Sequence, residues 1–579
     1  MSNKRIAVIG AGASGLPSIK AALEVDASVV CFEKTAEIGG LWNYREDLGK
    51  NMGTVTKSTI INTSKEMMAY SDFPPHPDTP NFMHNSVLNQ YLHDYAKAFN
   101  LTHYIRFNTE VLEVLKAPDY EDSGQMLIRS RKCRPENNND EEVVEEIFDG
   151  VLVATGHHAI PSIAPIPGLD HFTGKVQHSQ SFRSAAGFEG RRVLVIGIGN
   201  SALDAAIDLS RSNCNAVYLS TRRGAWIWNR VSHNGYPYDV WYMNRFFDRL
   251  RRTIGVKAAS VYVEHGLNRR MDHSLYNLKP RHHFFEGHPS VNDLLPNAIL
   301  AGQLQIKGDV KGMSGQCVEF MDGSSVEVDD IIVCTGYQFA FPFLAKDLLD
   351  WAGKNRANLY KLVFPPALSH PSLAFVGYIQ PIGAIQPISE QQARWAMAVM
   401  TGNQRLPSQA LMEADIASRT EAMRKRYYES QRHTIQVDYV EYMDELASEL
   451  GNSPLSLALF LQEPRLALEV LLGPVTPYQF RLRGPGAWEG AKEAVLSAMD
   501  RVREPLNRQR RKGCHRVSFA NALTTRCILK FAAVAVVGVL GVFASTGLGL
   551  SVAFSIALVI ILIALVFCLD IAWDISTIL

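Results

Sequence analysis

The sequence predicts an α/β protein, and three observations carry that prediction. Two segments, RIAVIGAGASG at 5–15 and RVLVIGIGNSALD at 192–204, each read as an apolar strand, a glycine turn and the start of a helix. Two more, DGVLVATGHH at 149–158 and DDIIVCTGYQ at 329–338, run as apolar strands into a Thr-Gly turn. Strands alternating with helices build parallel sheets, here two Rossmann-like dinucleotide-binding domains with the second inserted into the first. A helical insertion and a C-terminal transmembrane segment complete the expected architecture. The expected boundaries are 1–165 and 331–510 for the first domain, 166–330 for the second with its insertion at 228–296, a basic linker at 511–530 and an anchor at 531–569.

Length and composition agree with several domains. A chain of 579 residues exceeds what one hydrophobic core holds. It is 47% hydrophobic and 20% charged, and its 58 Lys and Arg balance 58 Asp and Glu, so no excess charge points to nucleic acid. The eight cysteines are scattered without a CxxC pair, which favours a reduced body without disulfides or zinc.

In the first glycine turn, Gly10 allows the tight bend, Gly12 lets a pyrophosphate approach the backbone, and Gly15 lets the helix pack on the strand. The backbone from Gly10 through Ala11, Gly12, Ala13 and Ser14 to Gly15 is the candidate phosphate cradle at a helix N-terminus. Pro17 falls in the first helical turn, where its missing N–H costs little. Glu33, followed by Lys34, closes the next strand 23 residues after Gly10, where a carboxylate holds the ribose hydroxyls.

The second turn carries Gly197 and Gly199, with Ala202 at the third position, and its helix opens with Asn200, Ser201 and Asp204. Its second strand, AVYLSTRRG, ends in Arg222 and Arg223 where the first copy has its acid. An acid there repels a 2′-phosphate, whereas guanidinium groups pair with one. One site for a dinucleotide with a plain ribose and another for a phosphorylated ribose imply FAD and NADPH, and hence a flavoenzyme. The two Thr-Gly strands are then the connections between the FAD and NADPH domains.

The region 228–296 is rich in aromatic residues, Arg and His, and reads as a helical insertion covering the active site or touching the membrane. Its cluster of histidines, 273, 282, 283 and 288, lacks the spacing of a ligand set, so no metal is expected. From Phe531 to Leu569 no residue is charged, and a helix of that length would reach roughly 58 Å, about twice the hydrocarbon thickness of a bilayer. Two short helices turning back at STGLG, or one span followed by an interfacial segment, both satisfy that length. The basic run RVREPLNRQRRKGCHR before it belongs on the cytoplasmic side, leaving a cytosolic catalytic body on a C-terminal anchor.

Disulfide reductases share the plan of two dinucleotide sites but need a redox-active cysteine pair, which is missing. Between the two nucleotide sites stands FTGKVQHSQSF, with Phe172, Gly174, His178 and Phe182 at fixed positions. This segment resembles the identifying motif FxGxxxHxxx(F/Y) of the flavin-containing monooxygenases. EIGGLWNY, NTSKEMMAYSDFP, STRRGAWIWNR, LVFPPALSHPSLAFVGYIQPIGA, SEQQARWA and GPGAWEGA also look like segments of the animal microsomal members, over about residues 4 to 510. STRRGAW, IQPIGAIQPISE and YYESQRHTIQVDY are most similar to the form-five subgroup. Pro17, the acidic loop CRPENNNDEEVVEE and the long apolar tail depart from the usual pattern.

The resemblance implies a chemistry and a set of site residues. NADPH reduces FAD, the reduced flavin takes O2 to give a C4a-(hydro)peroxyflavin, and retained NADP+ shields that adduct until substrate arrives. Asn62 matches the family asparagine that reaches toward the adduct and the nicotinamide, with Thr63 beside it; an amide donates there without releasing a proton of its own. Gly40, Leu41 and Trp42 match positions around the flavin, and Glu390, Gln392 and Arg394 match positions contacting it from the C-terminal part. His178 reads as an interdomain organiser. The implied partners are a small lipophilic substrate, O2, membrane lipid at the endoplasmic reticulum through the anchor and, as an open alternative, a second copy of the chain. The form-five resemblance implies Baeyer–Villiger oxidation of ketones; oxygenation of soft nitrogen or sulfur centres remains open beside it, as does an NADPH oxidase that releases H2O2.

Overall fold

A βαβ unit opens the chain: the strand Arg5–Ile9, the helix Gly15–Leu23 and the parallel strand Ser28–Phe32. Ile6, Ala7 and Val8 are fully buried, as expected of a parallel strand covered on both faces. The computed structural model describes residues 4–507 apart from 48, 50–51, 134–141, 233–234, 354 and 429–432. Among these, Arg5–Ile9 is the centre of a five-stranded sheet. Gly150–Val153 and then Leu373–Phe375 lie on one side of it, Ser28–Phe32 and then Ile105–Arg106 on the other, all in parallel register.

The second glycine turn repeats the arrangement. Arg192–Ile196 is the centre of another five-stranded parallel sheet, with Ala216–Ser220 and Gln305–Lys307 on one side and Asp330–Val333 and Lys175–His178 on the other. The strand Asp330–Val333 runs past residue 330, so the second sheet extends beyond the boundary read from sequence. Each sheet carries a three-stranded antiparallel partner, Thr109–Lys116 with Met126–Lys132 and Val144–Phe148 in the first, Val310–Ser314 with Cys317–Phe320 and Ser325–Glu327 in the second.

The segment after Arg223 leaves the second sheet through Ile227–Trp228, forms the helices Tyr238–Tyr242, Arg245–Ile254 and Val256–Arg270, and returns through Ser290–Val291, which pairs with Ile227–Trp228. The C-terminal part docks back on the first helix through a buried cluster of charges. Arg481, 2% exposed, reaches Glu24, Asp72 and Glu390 at 3.0, 3.3 and 3.0 Å, and Lys20 pairs with Asp72 at 2.7 Å.

The transmembrane segment of the expected fold is corrected. No helix among the described residues is long and apolar enough to cross a membrane. A span needs about 20 apolar residues; the helix Ile385–Met400 has only 16, Glu390 and Arg394 among them, and is buried within the protein, and Gln409–Arg426 has 18 but is studded with charges. The anchor at 531–569 and the linker at 511–530 before it lie outside the described residues.

Candidate active site

The two glycine turns share a contact that explains the repeated Thr-Gly ending. At Gly10, φ is +98° and an added Cβ would stand 2.9 Å from the carbonyl oxygen of Ala154; at Gly197, φ is +130° and the clash would be with Cys334 at 2.5 Å. Ala154 and Cys334 each immediately precede a Thr-Gly pair, so in both modules that carbonyl packs on the first glycine. Gly15 is required more locally than the sequence suggests, since its Cβ would fall 1.8 Å from the carbonyl oxygen of Gly10. Gly199, by contrast, faces open space.

Neither turn helix has a side-chain cap. In the first, the N–H groups of Gly15 and Leu16 turn back to the carbonyl of Gly12 at 3.0 and 3.1 Å, so an anion there would meet the N–H groups of the preceding turn; in the second, the N–H groups of Asn200 and Ser201 are left for an anion. Gly40 closes down on the first turn, with Gly12 and Gly40 so near that a Cβ on Gly40 would stand 3.1 Å from the Cα of Gly12. Tyr70 donates to the carbonyl of Ala13 at 2.6 Å, and the hydroxyls of Ser14 and Ser389 lie 2.9 Å apart. Glu33 is buried, and its carboxylate accepts from the N–H of Ala11 at 2.8 Å and from the N–H and hydroxyl of Thr35 at 2.9 and 2.7 Å. These use three of roughly four acceptor positions, so this geometry leaves room for one ribose hydroxyl rather than two. Lys34 is exposed beside it. A glycine turn at a helix start, a side-chain-free cradle and a strand-end carboxylate fit the pyrophosphate and ribose of FAD.

At the second turn, Asn200 accepts from the N–H of Val291 at 2.8 Å, Ser201 is exposed, and Asp204 is half-buried. Burial raises the Asp204 carboxyl to about 6 against the opposing pull of Arg230. Arg222 and Arg223 are exposed just past the second strand; Arg223 lies over the Tyr428 ring at 5.4 Å, and Arg222 makes no hydrogen bond or ion pair with another described residue. Open space at Gly199 and exposed guanidinium groups fit a phosphorylated dinucleotide.

Asn62 and Thr63 stand half-buried on a loop held by both modules. Arg230 donates to the carbonyls of Ile61 and Ile60 at 3.2 and 3.3 Å, and Asp239 accepts from the N–H of Ser64 at 2.6 Å. Leu41 and Trp42 are half-buried after Gly40, and Trp42 lines an open cavity of about 350 Å³ with Tyr44, Asn85, Asn89 and His93. Gln392 lies behind the site. It is fully buried, its oxygen accepting from the N–H of Gly377 at 2.8 Å and its nitrogen donating to Tyr442 at 2.9 Å. Its amide steadies the Gly377 turn, which packs against Ser14. Glu390 and Arg394 are also turned inward, toward Ser71 and Arg481 and toward Pro485 and Gln391.

The segment Phe172–Phe182 supplies the edge strand Lys175–His178 of the second sheet. Gly174 is needed because a Cβ would stand 2.4 Å from the carbonyl oxygen of Asp329. Nδ1 of His178 accepts from the N–H of Gln180 at 3.1 Å and Nε2 faces the carbonyl of Gly336 at 3.1 Å, which selects the neutral tautomer protonated on Nε2. Burial lowers its affinity for a second proton. Sequence reasoning missed Tyr70, Arg230 and Asp239; the only local signal was a lone carboxylate among aromatic residues in YPYDVWY.

The flavin-binding monooxygenase-like family model matches residues 3–543. The chain is 48% identical to flavin-containing monooxygenase 5 of Oryctolagus cuniculus over 509 residues, 87% of this chain and 94% of that one. Its fold is similar to that of S-allyl-L-cysteine S-oxygenase from Allium sativum, with a TM-score of 0.59 and 24% identity over 86% of this chain and 98% of the other. A cyclohexanone monooxygenase from Rhodococcus sp. Phi1 bound to NADP+ superimposes with a TM-score of 0.55 and 15% identity, over 78% and 98% of the two chains. This chain therefore belongs to the flavin-binding monooxygenase-like family and is an FAD-dependent monooxygenase that uses NADPH.

Proposed function

We propose that the first module holds FAD, that the second holds NADPH, and that the protein oxygenates small lipophilic substrates. One atom of O2 enters the product and the other leaves as water, with NADPH supplying the two electrons. The observation that carries this reading is the contrast at equivalent strand ends, a buried Glu33 in one module and exposed Arg222 and Arg223 in the other. FAD, when bound, accepts hydride from NADPH and activates O2. The chain's own residues do the rest. The glycine turns bind phosphates, Glu33 holds a ribose hydroxyl, and Arg222 and Arg223 select the 2′-phosphate. Asn62 offers an amide N–H to the reacting oxygen without an acidic proton, and the loop around it helps exclude water.

Ketones, by oxygen insertion beside the carbonyl, and soft sulfur or nitrogen centres are the substrate classes. The first is supported by the likeness to form five in sequence and to a cyclohexanone monooxygenase in fold, the second by the S-oxygenase likeness. The test is turnover of the holoenzyme with NADPH under ¹⁸O2, using an aliphatic ketone and a thioether. One labelled oxygen in an ester or sulfoxide is the expected result. Quantitative H2O2 with no labelled product would overturn it in favour of an oxidase.

A further inference from the structure

The loop bearing Asn62 is gripped on both sides by one short stretch of the inserted segment. Arg230 bonds the carbonyls of Ile60 and Ile61, and is itself paired with Asp293 at 3.2 Å. Nine residues later Asp239, on the helix Tyr238–Tyr242, reaches the N–H of Ser64 at 2.6 Å with one oxygen and the N–H of Val240 at 2.9 Å with the other. Asn62 and Thr63 lie between these anchor points. The side chain of Asn62 makes no hydrogen bond with another described residue, so what holds it in place is the backbone that carries it.

Asp239 is an expensive residue to place there. It is 6% exposed and forms no ion pair with a described residue. Burial lifts its carboxyl to about 6, with the Ser64 and Val240 N–H groups pulling the other way. A buried carboxylate without a cation disfavours the folded state. What it supplies in return is a short charge-assisted bond to one backbone N–H, about twice as strong as a neutral one.

We infer that Asp239 is a positioning residue, which fixes the Asn62–Thr63 turn by accepting the Ser64 N–H and so ties the Asn62 amide to the segment that begins at Arg222 and Arg223. The inference rests on the reading of Asn62 above and deepens it. The strand end proposed for the 2′-phosphate and the loop proposed for the reacting oxygen are then joined through the stretch 222–230, which ends at Arg230, with Asp239 as the second point of attachment. Occupancy of the NADPH site then bears on the position of the amide at Asn62.

The test compares four variants of the holoenzyme: Asp239→Ala, Asp239→Asn, Ser64→Pro and Asn62→Ala. Asp239→Asn keeps an acceptor oxygen. Ser64→Pro removes the donor at a residue whose φ of −70° already suits proline. Two quantities are read: the share of NADPH electrons appearing as H2O2 with saturating thioether, and the change in flavin absorption when NADP+ binds the oxidised enzyme without turnover. Asp239→Ala and Ser64→Pro are each expected to raise the peroxide share about five-fold and to alter the NADP+ difference spectrum in the same way, a loss on the order of 1 kcal/mol. Asp239→Asn restores more than half of the coupling, and Asp239→Ala combined with Ser64→Pro is no worse than either alone.

Wild-type coupling and an unchanged difference spectrum in Asp239→Ala would overturn the inference, as would effects of the two substitutions that simply add. If Asp239→Ala does not retain FAD, Ser64→Pro and Asp239→Asn decide by the same criteria. Asn62→Ala separates the two layers. Should it keep wild-type coupling, the reading of Asn62 fails; should it uncouple while Ser64→Pro and Asp239→Ala do not, only the role of Asp239 fails.

Discussion

The carboxylate of Glu33 accepts the N–H of Ala11 at 2.8 Å, joining the end of the second strand to the glycine turn 22 residues earlier. The acid therefore shapes the cradle as well as offering an oxygen to the ribose. Glu33→Ala is expected to weaken FAD binding by about 10- to 100-fold, as for loss of one charged hydrogen bond worth roughly 1.5–3 kcal/mol. Glu33→Gln falls between. Flavin retained after gel filtration and the dissociation constant by flavin fluorescence check both.

Gly15 and Gly199 occupy related turns yet separate packing from binding. A Cβ at Gly15 collides with the carbonyl oxygen of Gly10, whereas one at Gly199 meets nothing. Gly15→Ala is expected to cost about 4 kcal/mol or more and to give little folded flavoprotein. Gly199→Ala is expected to fold with normal FAD content and to bind NADPH about ten-fold more weakly, near 1.4 kcal/mol. Thermal melts and NADPH titration distinguish the two.

Arg222 and Arg223 stand exposed where the first module has Glu33. Arg222→Ala combined with Arg223→Ala is expected to raise the KM for NADPH about 10- to 100-fold, from charged hydrogen bonds worth roughly 1.5–3 kcal/mol. The KM for NADH should change little. Equal losses for both nucleotides would remove the 2′-phosphate from the assignment.

Arg481 stitches the C-terminal part to Glu24, Asp72 and Glu390. Arg481→Met strands buried carboxylates and is expected to cost about 3–5 kcal/mol, read by denaturant melts. Burial alone would raise the carboxyl of Glu24, but Arg481, Lys20 and Arg394 outweigh it and hold it at about 2. A depressed carboxyl contributes stability that is complete above its unfolded value near 4.5 and is lost as pH falls toward 2. The melting temperature of Glu24→Gln should accordingly fall less steeply than that of the wild type between pH 4.5 and 2.

Much of this fold is legible in the sequence because its signals are local. A run such as RIAVIG declares a doubly buried strand, and the glycines after it are required by carbonyls a few residues or one strand away. The paired Thr-Gly endings were visible as a repeat, but their cause, a carbonyl packed on Gly10 or Gly197, needs the sheet to be assembled. The hold of Asp239 on Ser64 spans 175 residues and has no periodicity or spacing to announce it. Gln392 entered by resemblance alone, and the structure turns its amide inward toward Gly377 and Tyr442.

The most direct test of the central claim is a stopped-flow experiment on the holoenzyme. The protein is reduced anaerobically with NADPH and mixed with oxygenated buffer in the absence of substrate, and the flavin spectrum is followed. The expected result is a long delay before the oxidised flavin spectrum returns, shortened by an added thioether or ketone, because a monooxygenase must hold activated oxygen until substrate arrives. Immediate return of the oxidised spectrum with stoichiometric H2O2, unaffected by either compound, would contradict it.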